Sequence, residues 1–96
     1  MSRNNGNWSY ESYEASVKCV RELLEKIRNK EFPKRSGEFD RYVVWGSPRE
    51  GWAIEMPAQV AEQATEGFDD VIEEVVIKVG YHFLESAFIY ILKSKD

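Results

Sequence analysis

Reactive side chains are scarce in this chain: one cysteine, Cys19, and one histidine, His82, among 96 residues. A single cysteine excludes an internal disulfide and leaves no thiolate cluster for a metal. Cys19 with His82 would be the one thiol–imidazole combination, and the two fall on separate segments that nothing in the sequence brings together. A lone thiol within a helix ordinarily serves as a small apolar side chain. Gly37, Gly46, Gly51, Gly67 and Gly80 are too dispersed for a phosphate-cradling loop. The acidic run Asp69, Asp70, Glu73, Glu74 lacks the spacing of a calcium loop and lies too far from His82 to complete an E-x-x-H motif. The expectation is therefore a protein without a catalytic set, metal or cofactor. Long apolar runs are missing as well. No stretch approaches the ~18 residues of a membrane span, and the polar start MSRNNGNWSY has no signal-peptide core. A cytoplasmic protein with no membrane contact is expected.

What the chain has in quantity is aromatic and charged side chains. Three Trp, five Tyr and five Phe supply a core of few, large groups, and 43% hydrophobic residues is too many for disorder. A chain this long buries roughly 60–65% of its unfolded surface, enough for one core and little more. Residues 1–7 read as a mobile N-terminus and 8–96 as one small domain. The charge is uneven. Residues 1–49 hold ten Lys/Arg against seven Asp/Glu, and residues 50–96 hold three against ten, for balances of +3 and −7. Asymmetry of this kind points to an interaction surface or to two solvated faces that happen to differ.

From Trp8 the pattern turns helical. Tyr10, Tyr13, Val17, Val20, Leu24 and Ile27 step by three and four, an a/d seam, with Pro33 as the stop. Glu14, Lys18, Glu22 and Lys26 add an i,i+4 ladder of alternating sign. The seam is narrow and the chain small, so a homodimer is expected. Arg41–Gly46 and Gly51–Met56 read as two strands joined by the four turn residues 47–50, a hairpin. Trp52, Ile54 and Met56 share one face of the second strand, with Ala53 and Glu55 on the other. Both faces of the first strand carry apolar groups, which calls for an additional element over part of the hairpin's second face.

Pro57–Val79 reads as a long amphipathic helix and the organising element. Val60, Ala61, Ala64, Phe68, Val71, Ile72 and Val75 line one face, and acidic residues line the other with no basic residue before Lys78. Gly67 marks a tight crossing or a break, and Gly80 a C-cap. Residues 76–93 stay open between strand and helix. Val75, Ile77, Val79, Tyr81 and Phe83 alternate as a strand would, whereas Phe83, Ala87 and Ile91 step by four. A strand over 87–93 is favoured because a lone hairpin is marginal. The fold expected is α+β in two layers: N-terminal helix, antiparallel hairpin, long amphipathic helix and C-terminal strand or strands, with a C-terminal helix as the alternative.

For function the leading expectation is a small non-enzymatic interaction protein, such as an inhibitor, an immunity-type factor or an adaptor, of the sort phages and mobile elements carry. Its binding surface would be the acidic helix face of Glu62, Glu66, Asp69, Asp70, Glu73 and Glu74, docking a protein partner with a basic surface. The alternative is a small-ligand binder or enzyme with an aromatic pocket between helix and sheet, lined by Trp45, Trp52, Tyr81 and Tyr90. A third reading is nucleic-acid binding by Lys26, Arg28, Lys30, Lys34, Arg35 and Arg41 at the end of the first helix. It is disfavoured by the interleaved Glu22, Glu25, Glu31, Glu38 and Asp40.

Overall fold

The fold is α+β: one antiparallel sheet with two helices on one face. It is seen in a computed structural model that describes residues 10–79 and 84–92. The elements are α1 (Tyr10–Arg28), β1 (Gly37–Glu38), β2 (Val43–Ser47), β3 (Gly51–Pro57), α2 (Ala58–Ala64), β4 (Ile72–Lys78) and β5 (Ser86–Ile91). The strand order is β1-β2-β3-β5-β4, and every neighbouring pair is antiparallel. Tyr81, His82 and Gly80, which bear on the pocket, thiol pair and C-cap readings, lie outside the described residues, as do residues 1–7.

The helical seam of α1 is spent inside its own chain. Val20, Leu24 and Ile27 are buried, and Tyr13 and Val17 pack against the same core. The helix ends at Arg28, ahead of Pro33, because the chain closes a Schellman turn. Glu31 N–H donates to the Lys26 carbonyl at 2.8 Å and Lys30 N–H to Ile27 at 2.9 Å, with Lys30 at φ 69°.

Strands β2 and β3 form the expected hairpin, one residue tighter than read from the turn residues, since Ser47 pairs with Gly51. Gly46 has φ 112°, and any Cβ there would lie 2.0 Å from the Gly51 carbonyl oxygen. Only glycine fits. The alternation of β3 is as expected. Ile54 and Met56 meet the helices together with Val44, Ala87 and Ile89, and Ala53 and Glu55 face the other way. Both helices contribute to that one core, so no helix or strand among the described residues covers the hairpin's second face.

The long helix is where expectation and structure part. Only Ala58–Ala64 is helical, residues 65–71 turn, and Ile72–Lys78 is an edge strand. Gly67, at φ 81°, is the break. The cause lies in the partner helix. Arg21 of α1 donates to the carbonyls of Gln63 (3.2 Å) and Ala64 (3.4 Å) in the last turn of α2, where a helix leaves carbonyls without intrahelical partners, and to that of Glu66 (2.8 Å) just past its end. Arg28 donates to the Gly67 carbonyl at 2.6 Å. Phe68 fits beneath both guanidinium groups, whose carbons lie 4.9 and 4.4 Å from its ring centroid. The chain thus gains more by turning around Phe68 than by another helical turn. Val75, expected in the core, is 42% exposed on β4. Residues 86–91 form a strand, which settles that part of the tail in favour of β.

Candidate functional site

The register places one cross-strand row on the sheet face away from the helices: Trp45 opposite Ala53, Ala53 opposite Tyr90, Tyr90 opposite Glu74. Neighbouring strands lie about 4.8 Å apart, so Trp45 and Tyr90 flank a slot one small side chain wide, floored by Ala53. A groove of about 330 Å³ opens there, bordered by Glu50, Glu73, Lys78 and Phe88 besides Trp45, Ala53 and Tyr90. Its size is that of a small ligand or a single large side chain.

The row beside it holds a buried carboxylate. Glu55 is fully buried between Val43 on β2 and Phe88 on β5. Its Oε1 accepts from Trp45 Nε1 at 3.0 Å and its Oε2 from Ser86 Oγ at 2.8 Å. Trp45 is thus a surface indole with its N–H tied down from below, 36% exposed and set in orientation. Ser86 against a carboxylate has the look of a nucleophile and base, but both residues are fully buried and no substrate reaches them. Farther along, the Lys78 ammonium lies 4.8 Å from the Phe88 ring centroid. This face already holds one cation over an aromatic ring.

The aromatic residues singled out from the sequence are redistributed. Trp45 and Tyr90 meet on the face opposite the helices, not between helix and sheet. Trp52 belongs to the helix-side core and also borders the groove. Glu55 was missed because it sits in a strand where alternation makes it look solvent-facing. Its partner Ser86 comes 31 residues later.

The acidic residues do not form one helix face. Glu62 lies on α2, Glu66, Asp69 and Asp70 in the turn after it, and Glu73 and Glu74 on β4, all exposed. Asp70 is taken by Arg28, which holds its two carboxylate oxygens at 2.8 and 2.9 Å. That hydrogen bond, before other causes, pulls the Asp70 carboxyl below its ordinary value. A depressed carboxyl contributes stability above the ordinary carboxylate range and loses it as pH falls through the folded-state value. The melting temperature of Asp70→Asn should therefore trail that of the wild type at neutral pH, and the gap should close on acidification. A constant gap would mean the pair does nothing for stability.

The basic cluster is sorted differently from its sequence order. Lys26, Lys30, Lys34 and Arg35 border a groove of about 610 Å³ with Phe32, Phe39 and Tyr42, and among the described residues Glu31 is the one acidic residue lining it. Arg28 is bound to Asp70, and Arg41 donates to Ser12 and Ser16 on α1. Cys19 is half-buried, and burial, then Glu22, pushes its thiol up, which makes it a poor nucleophile. Among the described residues no group of three or more His, Cys, Asp or Glu is gathered as for a metal ion, and no helix is long and apolar enough to cross a membrane. No family model, curated protein or solved structure matches this chain.

Proposed function

We propose that this chain is a non-catalytic protein-binding module that receives a cationic side chain of its partner, arginine or lysine, in the groove between Trp45 and Tyr90. The observation that carries this reading is the row Trp45–Ala53–Tyr90, in which a small residue separates two aromatic walls and Glu55 fixes one of them. A planar guanidinium or an ammonium is held by the faces of such rings. Among the described residues, Glu50 and Glu73 border the groove against the ammonium of Lys78, so the local balance favours a cation. The basic-partner expectation is thereby kept, but its seat moves from a helix face to the sheet face away from the helices.

The test is a titration of the protein with fluorescent arginine-rich, lysine-rich and acidic peptides. Binding should be confined to the basic peptides and should weaken with salt. Tyr90→Ala should lower the affinity about tenfold, as for one desolvated cation–π contact with its packing, and Glu73→Gln should reduce the salt dependence. Equal binding of acidic and basic peptides, or an unchanged affinity in folded Tyr90→Ala, would remove the reading.

A second reading has its own observation. Apart from Glu31, the acidic residues interleaved with the basic cluster in sequence do not line the groove of Lys26, Lys30, Lys34 and Arg35, where Phe39 is 49% exposed and lies 5.3 Å from the Tyr42 ring. Cations beside exposed rings suit a single-stranded nucleic acid. A fluorescent oligonucleotide in the same titration decides this. Four phosphate contacts would give a salt slope of about −3, and no binding at low salt would exclude it.

A further inference from the structure

A five-stranded open sheet has two edges, and this one treats them differently. β1 is two residues long and offers almost nothing to pair with. β4 is seven residues long and, among the described residues, pairs with β5 alone. Among those residues its outer backbone edge has no neighbouring strand, and such an edge is the usual template for another strand. Val75 and Ile77 stand opposite Ile89 and Ala87 and so project to the helix side, yet they are 42% and 50% exposed because the helices stop short of this edge. Glu74, Val76 and Lys78 project to the groove side, opposite Tyr90, Phe88 and Ser86. The bulge between Ile72 and Glu74 and the charges along the strand discourage indiscriminate pairing. One register turns those charges from a deterrent into a match.

We infer that β4 pairs antiparallel with β4 of a second copy about a two-fold axis through Val76. Val76 then faces Val76, Val75 faces Ile77, and Glu74 faces Lys78, each unlike pair occurring twice by symmetry. The two Val75–Ile77 pairs fall on the helix side, and the central Val76–Val76 pair falls on the groove side between the two opposite-charge pairs. Centring on Val75 instead sets Glu73 against Ile77 and Ile72 against Lys78. Centring on Ile77 sets Val76 against Lys78. Of these three registers, which keep both helix layers on one face, only the one at Val76 matches charge with charge and aliphatic with aliphatic over the regular part of the strand, Glu74–Lys78. The Lys78 stem is long enough to leave Phe88 for the second copy's Glu74, exchanging one exposed contact for another of similar worth. Backbone pairing and the covering of Val75 and Ile77 supply the drive. The result is a ten-stranded sheet in which the row Trp45–Ala53–Tyr90–Glu74 runs on into Lys78 of the second copy. The homodimer expected from α1 is thus moved to the other end of the molecule, and it needs no ligand in the groove.

Light scattering over a concentration series tests this on the unliganded full chain. The wild-type mass should rise from one chain to two. Lys78→Glu and Glu74→Lys, each turning two attractive pairs into two repulsive ones, should each weaken the dimer about tenfold. The double variant Glu74→Lys/Lys78→Glu should restore it. Both sites are exposed on the strand, and far-UV circular dichroism will confirm that each variant is folded. Independently, Val76→Cys in a Cys19→Ser background should close an intermolecular disulfide on mild oxidation, since directly paired residues lie within disulfide reach. A wild type that stays monomeric throughout, a dimer indifferent to charge reversal, or a Val76→Cys variant that forms no cross-linked dimer on oxidation would overturn the inference.

Discussion

Phe68→Ala should lose about 3–5 kcal/mol of unfolding free energy, the range for truncating a large buried aromatic. Phe68 is 3% exposed although it stands in a turn. Its ring belongs to the core cluster with Val60, Ala64 and Val71, and its outer face meets the guanidinium groups of Arg21 and Arg28. Those arginines are committed by other bonds, Arg21 to the end of α2 and Arg28 to Gly67 and Asp70. Removing the ring therefore opens a cavity and also unseats the groups that end α2. Urea titration should show a lower midpoint with an unchanged slope. Phe68→Leu should lose well under half as much, because it keeps most of the apolar volume. A loss under about 1 kcal/mol for Phe68→Ala would mean that the turn does not depend on this side chain.

That same turn explains why the middle of the chain misleads a reader of its sequence. Val60, Ala61 and Ala64 are spaced by a real helix. Phe68 and Val71 continue the three-and-four spacing from a turn that happens to point both inward. Ile72 and Val75 then keep it alive through the bulge at Glu73, which inserts one residue and returns both side chains to the helix side of a strand. A helix, a turn and a bulged strand so add up to one apparent helical stripe. Two local signs speak against it: Gly67, and the β-branched run Val75, Val76, Ile77, Val79. α1 and β3 are legible because each keeps one period from end to end, whereas β5 is an unbroken apolar run whose period decides nothing and which only the need for a third strand favours. The groove is half legible. Trp45 and Tyr90 stand out as aromatic, but they become neighbours only when β5 inserts between β3 and β4, an order that sequence spacing does not contain.

The carboxylate of Glu55 is the other single group on which much depends, and Gln and Ala variants should separate its two roles. Glu55→Ala takes the acceptor from the Trp45 N–H and the Ser86 O–H and leaves a cavity beneath the sheet face. A cost of about 2–4 kcal/mol is expected. Glu55→Gln should cost about half as much. Trp45 Nε1 is a donor only, so the amide oxygen must turn to it, and the amide nitrogen then faces Ser86, whose hydroxyl can rotate to accept. The glutamine therefore keeps the indole in place while removing the negative charge. Peptide titration of the groove distinguishes the two effects. If Glu55 serves by orienting Trp45, the Gln variant should bind basic peptides nearly as the wild type does and the Ala variant should bind several-fold more weakly. If its charge attracts the cation directly, both variants should lose affinity alike, and Trp45 would be a wall without a fixed pose. Equal stability of wild type and Glu55→Ala would show instead that the buried carboxylate holds nothing at all.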